Sequence, residues 1–276
     1  MSGLRRPAVA GLFYPDDAKQ LASQVRGFLD AARPVAAPAP EANASPIARP
    51  KALIAPHAGY VYSGPIAGHA YARIAAEAER ITRPITRVVL LGPSHRLPFQ
   101  GLAYCSAERF ATPLGEIPVD RGAIDAIDDL PQVQELDSAF DGEHCLEVQL
   151  PFLQVLLTQF SIVPLLVGTA RGGEVAEVLE RLWGGSETLI VISSDLSHYL
   201  DYASARSIDQ RTSDAICALR PDAIATHQAC GRHPIAGLLQ EARLHGLSAD
   251  LLDLRNSGDT AGPRDRVVGY GAYAFG

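Results

Sequence analysis

Three short apolar runs along the chain each lead into a histidine. The ranges, each of which ends at its histidine, are 51–57, 87–95 and 189–198. Runs of Leu, Ile and Val that are bounded by Pro, Gly or Ser are typical of buried strands. Ligands of α/β proteins gather just beyond the carboxyl ends of such strands. The repeated layout therefore predicts a site at one edge of a parallel sheet.

The rest of the pattern alternates between helices and strands. Apolar residues at helical spacing predict helices after Asp16 and Asp17 and at 66–74, 146–152, 174–183, 203–219 and 235–245. Further strands are expected at 160–168, around Leu251 and at 267–275, with a hairpin where 101–105 and 116–120 flank a turn at 111–115. This alternation predicts an α/β fold with a mostly parallel, mixed sheet flanked by helices. We expect the His57 and His95 strands to be sequential, and commonly neighbouring, in that sheet.

Two proline signals refine the organisation of the chain. Residues 33–50 are rich in Pro and Ala. They predict an extended surface connection rather than a domain boundary, because too little chain precedes them to form a core. One domain over residues 1–276 is the simpler expectation. Pro164, inside the 160–168 strand, favours an edge strand or a bulge because proline has no N–H to donate.

Composition narrows the function classes. The 276 residues are 47% hydrophobic and carry a formal net charge of −7, with a pI near 5.6. No Lys/Arg cluster is present, so no nucleic-acid partner is expected. No apolar stretch approaches the roughly 20 residues that span a bilayer, and the first residues do not resemble a secretion signal, so no membrane association and a cytoplasmic location are expected. Four cysteines without a CxxC pair predict free thiols.

A metal site is the first chemical hypothesis. Imidazoles of His57 and His95 could reach one ion, since iron, copper and zinc all accept imidazole. The alternative is that each histidine caps a helix or binds a loop carbonyl. Cys230 opens the cluster Cys-Gly-Arg-His-Pro, in which Gly231 permits unusual backbone angles and Arg232 would lower the thiol pKa. A thiolate there would complete a three-ligand set, but a buried inert cysteine fits the sequence equally well.

Groups for proton transfer are the second hypothesis. His144 lies between Glu143 and Glu147, which could orient its ring as they would that of a general base, although His144 could equally be a plain helix-start residue. Asp195 and His198 are candidates for an acid/base pair, whereas the serines at 193 and 194 could simply satisfy loop amides. No G-x-S-x-G elbow, P-loop or dinucleotide fingerprint is present, which weakens hydrolase and nucleotide hypotheses.

A set of short motifs follows one order along the chain. The motifs are Ala55-Pro-His-Ala-Gly-Tyr60, Gly92-Pro-Ser-His95, Thr112-Pro-Leu-Gly115, Glu143-His144 with Gln149-Leu-Pro151, Ser193-Ser-Asp195 with His198, and Cys230-Gly-Arg-His-Pro-Ile235. In this order they closely resemble the Memo family, whose bacterial and archaeal members are called AmmeMemoRadiSam system protein B. The resemblance runs from Pro7 to Tyr273 and so covers nearly the whole chain. It is carried by the combination of motifs rather than by one of them.

The resemblance implies a fold like that of the class III extradiol dioxygenases, which are non-haem iron(II) enzymes that open catechol rings with O2. It implies metal binding by His57, His95 and Cys230, with iron(II) expected first and copper or zinc as alternatives. The dioxygenases have a glutamate where this chain has Cys230, and that departure counts against ring cleavage. His144 and His198 match the active-site histidines of the dioxygenases.

Three functions follow as hypotheses. The first is a redox enzyme with iron or copper at the triad, in which His144, His198 and Asp195 move protons on an unknown small molecule. The second is a non-catalytic protein that uses the same cleft to bind a peptide or to handle metal. The third is a zinc hydrolase with Asp195 as its base. The bacterial family name also implies a functional association with an AMMECR1-like protein and a radical-SAM protein.

Overall fold

The elements come from a computed structural model that describes residues 3–32, 49–78 and 84–276. The helices are α1 Ala18–Ala32, α2 Tyr60–Ala78, α3 Arg121–Asp125, α4 Leu150–Leu156, α5 Gly172–Leu182, α6 Tyr202–Cys217 and α7 Arg232–Leu244. The strands are β1 Leu4–Arg5, β2 Ala52–Ala55, β3 Arg87–Pro93, β4 Leu102–Tyr104, β5 Arg109–Thr112, β6 Gly115–Pro118, β7 Val133–Glu135, β8 Ser161–Val167, β9 Thr188–Ser193, β10 His198–Leu200, β11 Ala249–Asn256 and β12 Val267–Phe275.

A mixed sheet forms the centre of the molecule. Its strand order is β10-β12-β2-β9-β3-β8-β4-β7, and β11 pairs with β12. The four strands β2, β9, β3 and β8 are parallel, whereas β12 and β4 join them antiparallel. The predicted α/β fold with a mostly parallel, mixed sheet is confirmed. The expectation that the His57 and His95 strands are neighbours is wrong, because β9 lies between β2 and β3.

Helices cover the central strands and explain why those strands are apolar throughout. Every residue of β2 and of β9 is buried, as expected where a parallel sheet is covered on its faces. Helix α7 packs against β3 and β9, with α5 on α7, while α2 packs against β2 and β12, with α1 on α2. In α5, the apolar residues at helical spacing are the ones that face the core, since Val175, Val178, Leu179 and Leu182 are buried. The buried apolar residues form one continuous core.

Two local predictions need correction. The hairpin joins β5 to β6, with Thr112 opposite Gly115, so residues 101–105 are not its first strand. They supply β4 of the central sheet instead, a role that the turn signal at 111–115 did not reveal. Pro164 does not mark an edge strand, because β8 lies inside the sheet order. On the side away from β3, the described pairings of β8 are at Ile162 and at residues 166–167. Pro164 falls between them, where its missing N–H is tolerated.

Two further predictions concern segments rather than elements. The surface connection predicted at 33–50 falls mainly on residues 33–48, which lie outside the described residues, so it stays a prediction. In the described part of the chain, no helix is both long enough and apolar enough to span a bilayer.

The amino-terminal segment is tied to the sheet through one buried carboxylate. Glu147 accepts hydrogen bonds from the backbone N–H groups of Ala8 (2.6 Å) and Val9 (3.0 Å) and from the hydroxyl of Tyr14 (2.6 Å). Its Oε2 also lies 3.4 Å from the Arg5 guanidinium. These bonds fix the segment 5–14, of which Leu12 and Phe13 line the cavity described below.

Glu147→Ala should destabilise the fold by about 3 kcal/mol, because it removes the acceptor for two backbone N–H groups and leaves a partly buried guanidinium without its carboxylate. Urea denaturation of the full chain measures this. Glu180→Ala, at an exposed glutamate of α5, is the matched control and should stay within about 0.5 kcal/mol of the parent. Equal free energies of unfolding for the two variants would contradict the assigned role of Glu147.

Candidate metal centre

The histidine-bearing loops meet at the carboxyl edge of the parallel strands. His57 follows β2 by two residues, His95 follows β3 by two, and Asp195 follows β9 by two. Because these strands are parallel, their carboxyl ends lie at the same edge. Cys230 reaches that edge from the loop before α7, where its N–H donates to the Asp195 carbonyl at 3.2 Å.

Three potential ligand atoms converge there. The imidazole nitrogens of His57 and His95 and the Cys230 sulfur all lie within 4.8 Å of one another. The distance from His57 Nε2 to Cys230 Sγ is 3.5 Å. A metal about 2.1 Å from nitrogen and about 2.3 Å from sulfur, with a tetrahedral angle between them, separates the two ligand atoms by roughly 3.6 Å. The spacing of the described atoms therefore fits a His₂Cys metal set.

The hydroxyl of Ser193 determines which nitrogen of His57 is free. Ser193 Oγ donates its single proton to the carbonyl of Cys145 (2.7 Å) and accepts from Gln149 Nε2 (2.8 Å). Its contact with His57 Nδ1 at 2.9 Å must then be a bond in which the imidazole donates. The neutral ring consequently carries its proton on Nδ1, and the lone pair of Nε2 is left for a metal.

Glu143 imposes the same tautomer on His95. Its carboxylate accepts from the His95 N–H (2.6 Å), from His95 Nδ1 (3.0 Å) and from the N–H groups of His144 (2.8 Å) and Cys145 (3.1 Å). Burial would raise the pKa of Glu143, but the bonds and charge of His95 outweigh it and hold that pKa well below its usual range. The ionised carboxylate can only accept, so His95 Nδ1 donates and Nε2 is free.

Burial opposes the charged forms of two candidate ligands, His57 and Cys230, in the metal-free protein. It lowers the pKa of His57 well below 6.5, an effect reinforced by the nearby His95 and His144. For Cys230, burial and then the charge of Asp195 raise the thiol pKa to about 12. Of the two alternatives that the sequence left open for Cys230, this shift favours the buried thiol over the thiolate in the metal-free protein. Arg232 does not offset burial, because it lines a different cavity beside α5.

Gly231 serves close packing rather than an unusual backbone angle. Its φ is −88°, which any residue adopts, so the predicted reason for the glycine is wrong. A Cβ at this position would lie 2.6 Å from Ser194 Cβ, much closer than two carbons can approach. The N–H of Gly231 also donates to Ser194 Oγ at 2.9 Å. The glycine thus brings Cys230 against the end of β9.

His144 and His198 lie beside the triad without belonging to it. The ring of His144 stacks on that of His95 with centroids 5.1 Å apart, and its Nδ1 is 3.4 Å from Glu143 Oε1. Glu147 does not orient His144 as predicted, because its oxygens serve the amino-terminal segment. His198 Nδ1 donates to the Leu196 carbonyl at 2.8 Å, which leaves its Nε2 free to accept a proton.

Asp195 is attached to His57 rather than to His198. Its Oδ1 accepts from the His57 N–H at 2.8 Å, and Oδ2 lies 4.0 Å from His57 Nε2. Burial raises the pKa of this carboxyl, while the charges of nearby histidines, His198 first, act in the opposite direction. In the described structure, the predicted Asp195–His198 pair therefore interacts through charge alone, without a direct hydrogen bond.

A cavity of about 750 Å³ opens above these groups. Its lining includes His57, His95, His144, Asp195, His198 and Cys230, together with apolar and aromatic residues from three parts of the chain. Phe13, from the amino-terminal segment, packs edge-on against His144 at 4.8 Å. Leu12 is 80% exposed at the mouth. The size is typical of sites for small organic ligands.

The supporting roles of three residues were not predicted from the sequence. Ser193 and Gln149 fix His57, whereas only the neighbouring Ser194 has the loop-amide role expected for both serines. Asp209 of α6 is buried and accepts from the Ser197 N–H at 2.9 Å, which anchors the loop that carries Asp195 and His198. Helical spacing alone gives no signal for Asp209. Its close contact with Gly269, where an added Cβ would lie 2.0 Å from the carboxylate, is visible only in three dimensions.

The fold and this edge define a class: an α/β protein with a candidate His₂Cys metal centre beyond its parallel strands. The chain belongs to the Memo family, since the profile described as "Memo-like protein" matches residues 5–274. Relatives named "MEMO1 family protein" match over nearly their whole length. That of Sulfolobus acidocaldarius is 34% identical over 288 residues and covers 99% of both chains, and that of Aquifex aeolicus is 34% identical and covers 97% of both.

A solved structure overlaps part of the fold. It is described as an uncharacterized protein, JW3007, from Escherichia coli K12, and it covers 80% of this chain and 99% of its own with a TM-score of 0.49 and 12% identity. That overlap is too partial to carry an argument about fold or function.

His57 should remain neutral and Nδ1-protonated at about pH 5.5, roughly one unit below the ordinary imidazole value. The reason is its burial and the single proton of Ser193. Nitrogen-15 NMR of the imidazole rings in metal-free protein measures tautomer and charge, and Ser193→Ala identifies the His57 signal by shifting it. A His57 ring that is protonated on both nitrogens at that pH would show that the tautomer is not fixed in this way.

Proposed function

We propose that this protein is a metal-dependent redox enzyme that acts on a small organic molecule in the cavity. Iron(II) is the first candidate for the ion, with copper or zinc as alternatives. The observation that carries the proposal is that the tautomers of both histidines are fixed by hydrogen bonds. Ser193 accepts a hydrogen bond from Nδ1–H of His57, and Glu143 accepts one from Nδ1–H of His95. Both Nε2 lone pairs are thereby free beside the Cys230 sulfur, and side chains that orient ligand histidines in this way are typical of metal sites.

A bound ion would be held by His57 Nε2, His95 Nε2 and Cys230 Sγ. When bound, such an ion supplies open coordination positions and redox chemistry with O2 as the oxidant. Imidazole and thiolate together suit iron, copper and zinc rather than magnesium or calcium. Because burial raises the pKa of Cys230 to about 12, binding requires the thiol to release its proton to a nearby base or to water.

Two groups of this chain would handle protons on the substrate, and a third would support the site. His198 has a free Nε2, since its Nδ1 donates to the Leu196 carbonyl. His144 lines the same cavity, and burial lowers its pKa, which keeps the ring neutral and able to accept a proton. Asp195 holds the His57 backbone at the floor of the cavity. We assign proton transfer to His144 and His198 and a positioning and electrostatic role to Asp195.

The apolar mouth of the cavity supports a second candidate function. Leu12, Val61, Tyr62 and Tyr199 are exposed large apolar or aromatic residues, and all four line the mouth. Clustered exposed apolar side chains are common where proteins bind other molecules. The alternative is therefore a non-catalytic protein that binds a peptide or hands over metal at the same cleft, within a pathway that includes AMMECR1-like and radical-SAM proteins.

Alanine at any of the three proposed ligands should abolish stoichiometric metal binding, because each substitution removes one of three protein ligands. The set is His57→Ala, His95→Ala and Cys230→Ala, measured by elemental analysis and metal titration of folded protein. His227→Ala and Cys217→Ala, at residues outside the cavity, are the matched controls and should bind metal like the parent. His144→Ala and His198→Ala should also keep the metal. Full occupancy in all three ligand variants would refute the assignment, and loss of metal in a His144 or His198 variant would make that residue a ligand.

Anaerobic purification followed by an O2-uptake screen over phenols and catechols tests the activity itself. Stoichiometric iron or copper with substrate-dependent O2 uptake, lost in His198→Ala although metal is retained, is the expected result. Metal without turnover would favour the binding function. Zinc with ester or amide hydrolysis would instead identify a hydrolase, and either of these outcomes would overturn the redox proposal.

A further inference from the structure

A strained residue stands at the mouth of the cavity. Tyr199 has a φ of +61°, a conformation that residues other than glycine adopt rarely and at some energetic cost. It lies in β10, where the register against β12 shifts between His198 and Leu200. In a regular strand, successive side chains point to opposite faces. Here His198 and Tyr199 both line the cavity, with ring centroids 5.8 Å apart.

The strained backbone places the Tyr199 ring in the cavity lining rather than in the core. Tyr199 is 63% exposed, so burial of its ring does not compensate for the backbone conformation. Strained residues that gain nothing from packing are concentrated at ligand sites. This suggests that the bulge serves the cavity.

One cation accompanies this ring. The guanidinium carbon of Arg266 lies 4.6 Å from the centre of the Tyr199 ring, and Arg266 also lines the cavity. Among the described residues that line it, Arg266 is the one arginine or lysine. No carboxylate in the described part of the chain lies within ion-pair distance of it, whereas its neighbour Arg264 approaches Asp259 at 3.9 Å. The Arg266 guanidinium therefore keeps its donors for a ligand.

The apolar part of the lining carries no charge that would pair with Arg266. It includes Leu12, Phe13, Val61 and Tyr62, which are apolar or aromatic. The acidic residue of the lining, Asp195, is buried and bonded to the His57 backbone. A ligand in this cavity would thus meet apolar side chains and one guanidinium without a carboxylate partner.

We propose that Tyr199 and Arg266 form a recognition arm for planar aromatic carboxylates. The arm would pack the ligand ring against the apolar mouth and bind the carboxylate through the fork of N–H donors of Arg266, which matches carboxylate geometry. Stacking on Tyr199 holds the guanidinium plane in place before the ligand arrives. The inference rests on the proposed function only in naming the substrate class for the same cavity, because carboxylate binding itself needs no turnover.

The test compares 2-naphthoate with 2-naphthamide, which share a ring system and differ in charge. Binding is followed by fluorescence with the full chain, both as purified and after chelator treatment, so that a carboxylate on a metal is distinguished from one on Arg266. The parent protein should prefer the naphthoate by about tenfold or more. The preference should disappear in Arg266→Gln and persist in Arg264→Gln, the matched control.

Tyr199→Gly provides a second variant that should fold well, because glycine adopts a positive φ without strain. It should weaken both probes, since the ring that they pack beside is gone. A naphthoate preference that survives in Arg266→Gln, or one that chelation alone abolishes, would overturn the arm, as would equal binding of the two probes to the parent.

The outcomes separate the arm from the proposed function. Naphthoate preference that depends on Arg266 in a protein that never consumes O2 would support the arm and reject the redox proposal. O2 uptake that is unchanged by Arg266→Gln for both charged and neutral phenols would support the redox proposal and overturn the arm.

Discussion

The hydroxyl proton of Ser193 is the constraint on which the candidate centre depends. It is donated to the Cys145 carbonyl, and the oxygen then accepts from Gln149 and from the ring of His57. One buried hydroxyl thereby links β9, the segment before α4 and the loop after β2. It also fixes which imidazole nitrogen faces Cys230. An alanine at this position would remove the partner of the buried Cys145 carbonyl and of the His57 imidazole, and one of the acceptors of the Gln149 amide. Such losses are costly in an apolar interior.

The sequence predicts those parts of the fold and site that depend on residues close together in the chain. It does not predict the parts that depend on residues far apart. Apolar periodicity is local, so α5, α6, α7, β8, β9 and β12 were found near their observed bounds. Strand order is not local, and nothing in residues 51–95 indicates that β9, about a hundred residues later, separates β2 from β3. His57, His95 and Cys230 were identified from repeated strand ends and from family resemblance. The sequence could not decide between a thiolate and a buried thiol at Cys230, since the neighbouring Arg232 lines another cavity and burial is visible only in three dimensions.

Burial acts in the same direction on three of the groups at this edge. Burial opposes the charged forms of His57, His144 and Cys230 alike. Glu143 is the exception, and four donors stabilise its negative charge. An ion placed among these groups would face imidazole nitrogens and one sulfur that must lose a proton. The carboxylate of Glu143 would lie one hydrogen bond beyond the His95 ring. A cysteine in such a donor set would make it softer than a carboxylate would, and would couple ion uptake to proton release.

The walls of the cavity come from both ends of the chain. Leu12 and Phe13 form one side, and Arg266, Val268 and Tyr270 form another, while β12 pairs directly with β2. Contacts between parts so far apart in sequence carry a large loop-closure cost and form late in folding. The walls of the cavity are therefore expected to assemble after the central parallel strands have paired, so an ion would enter the completed site in one of the last steps of folding.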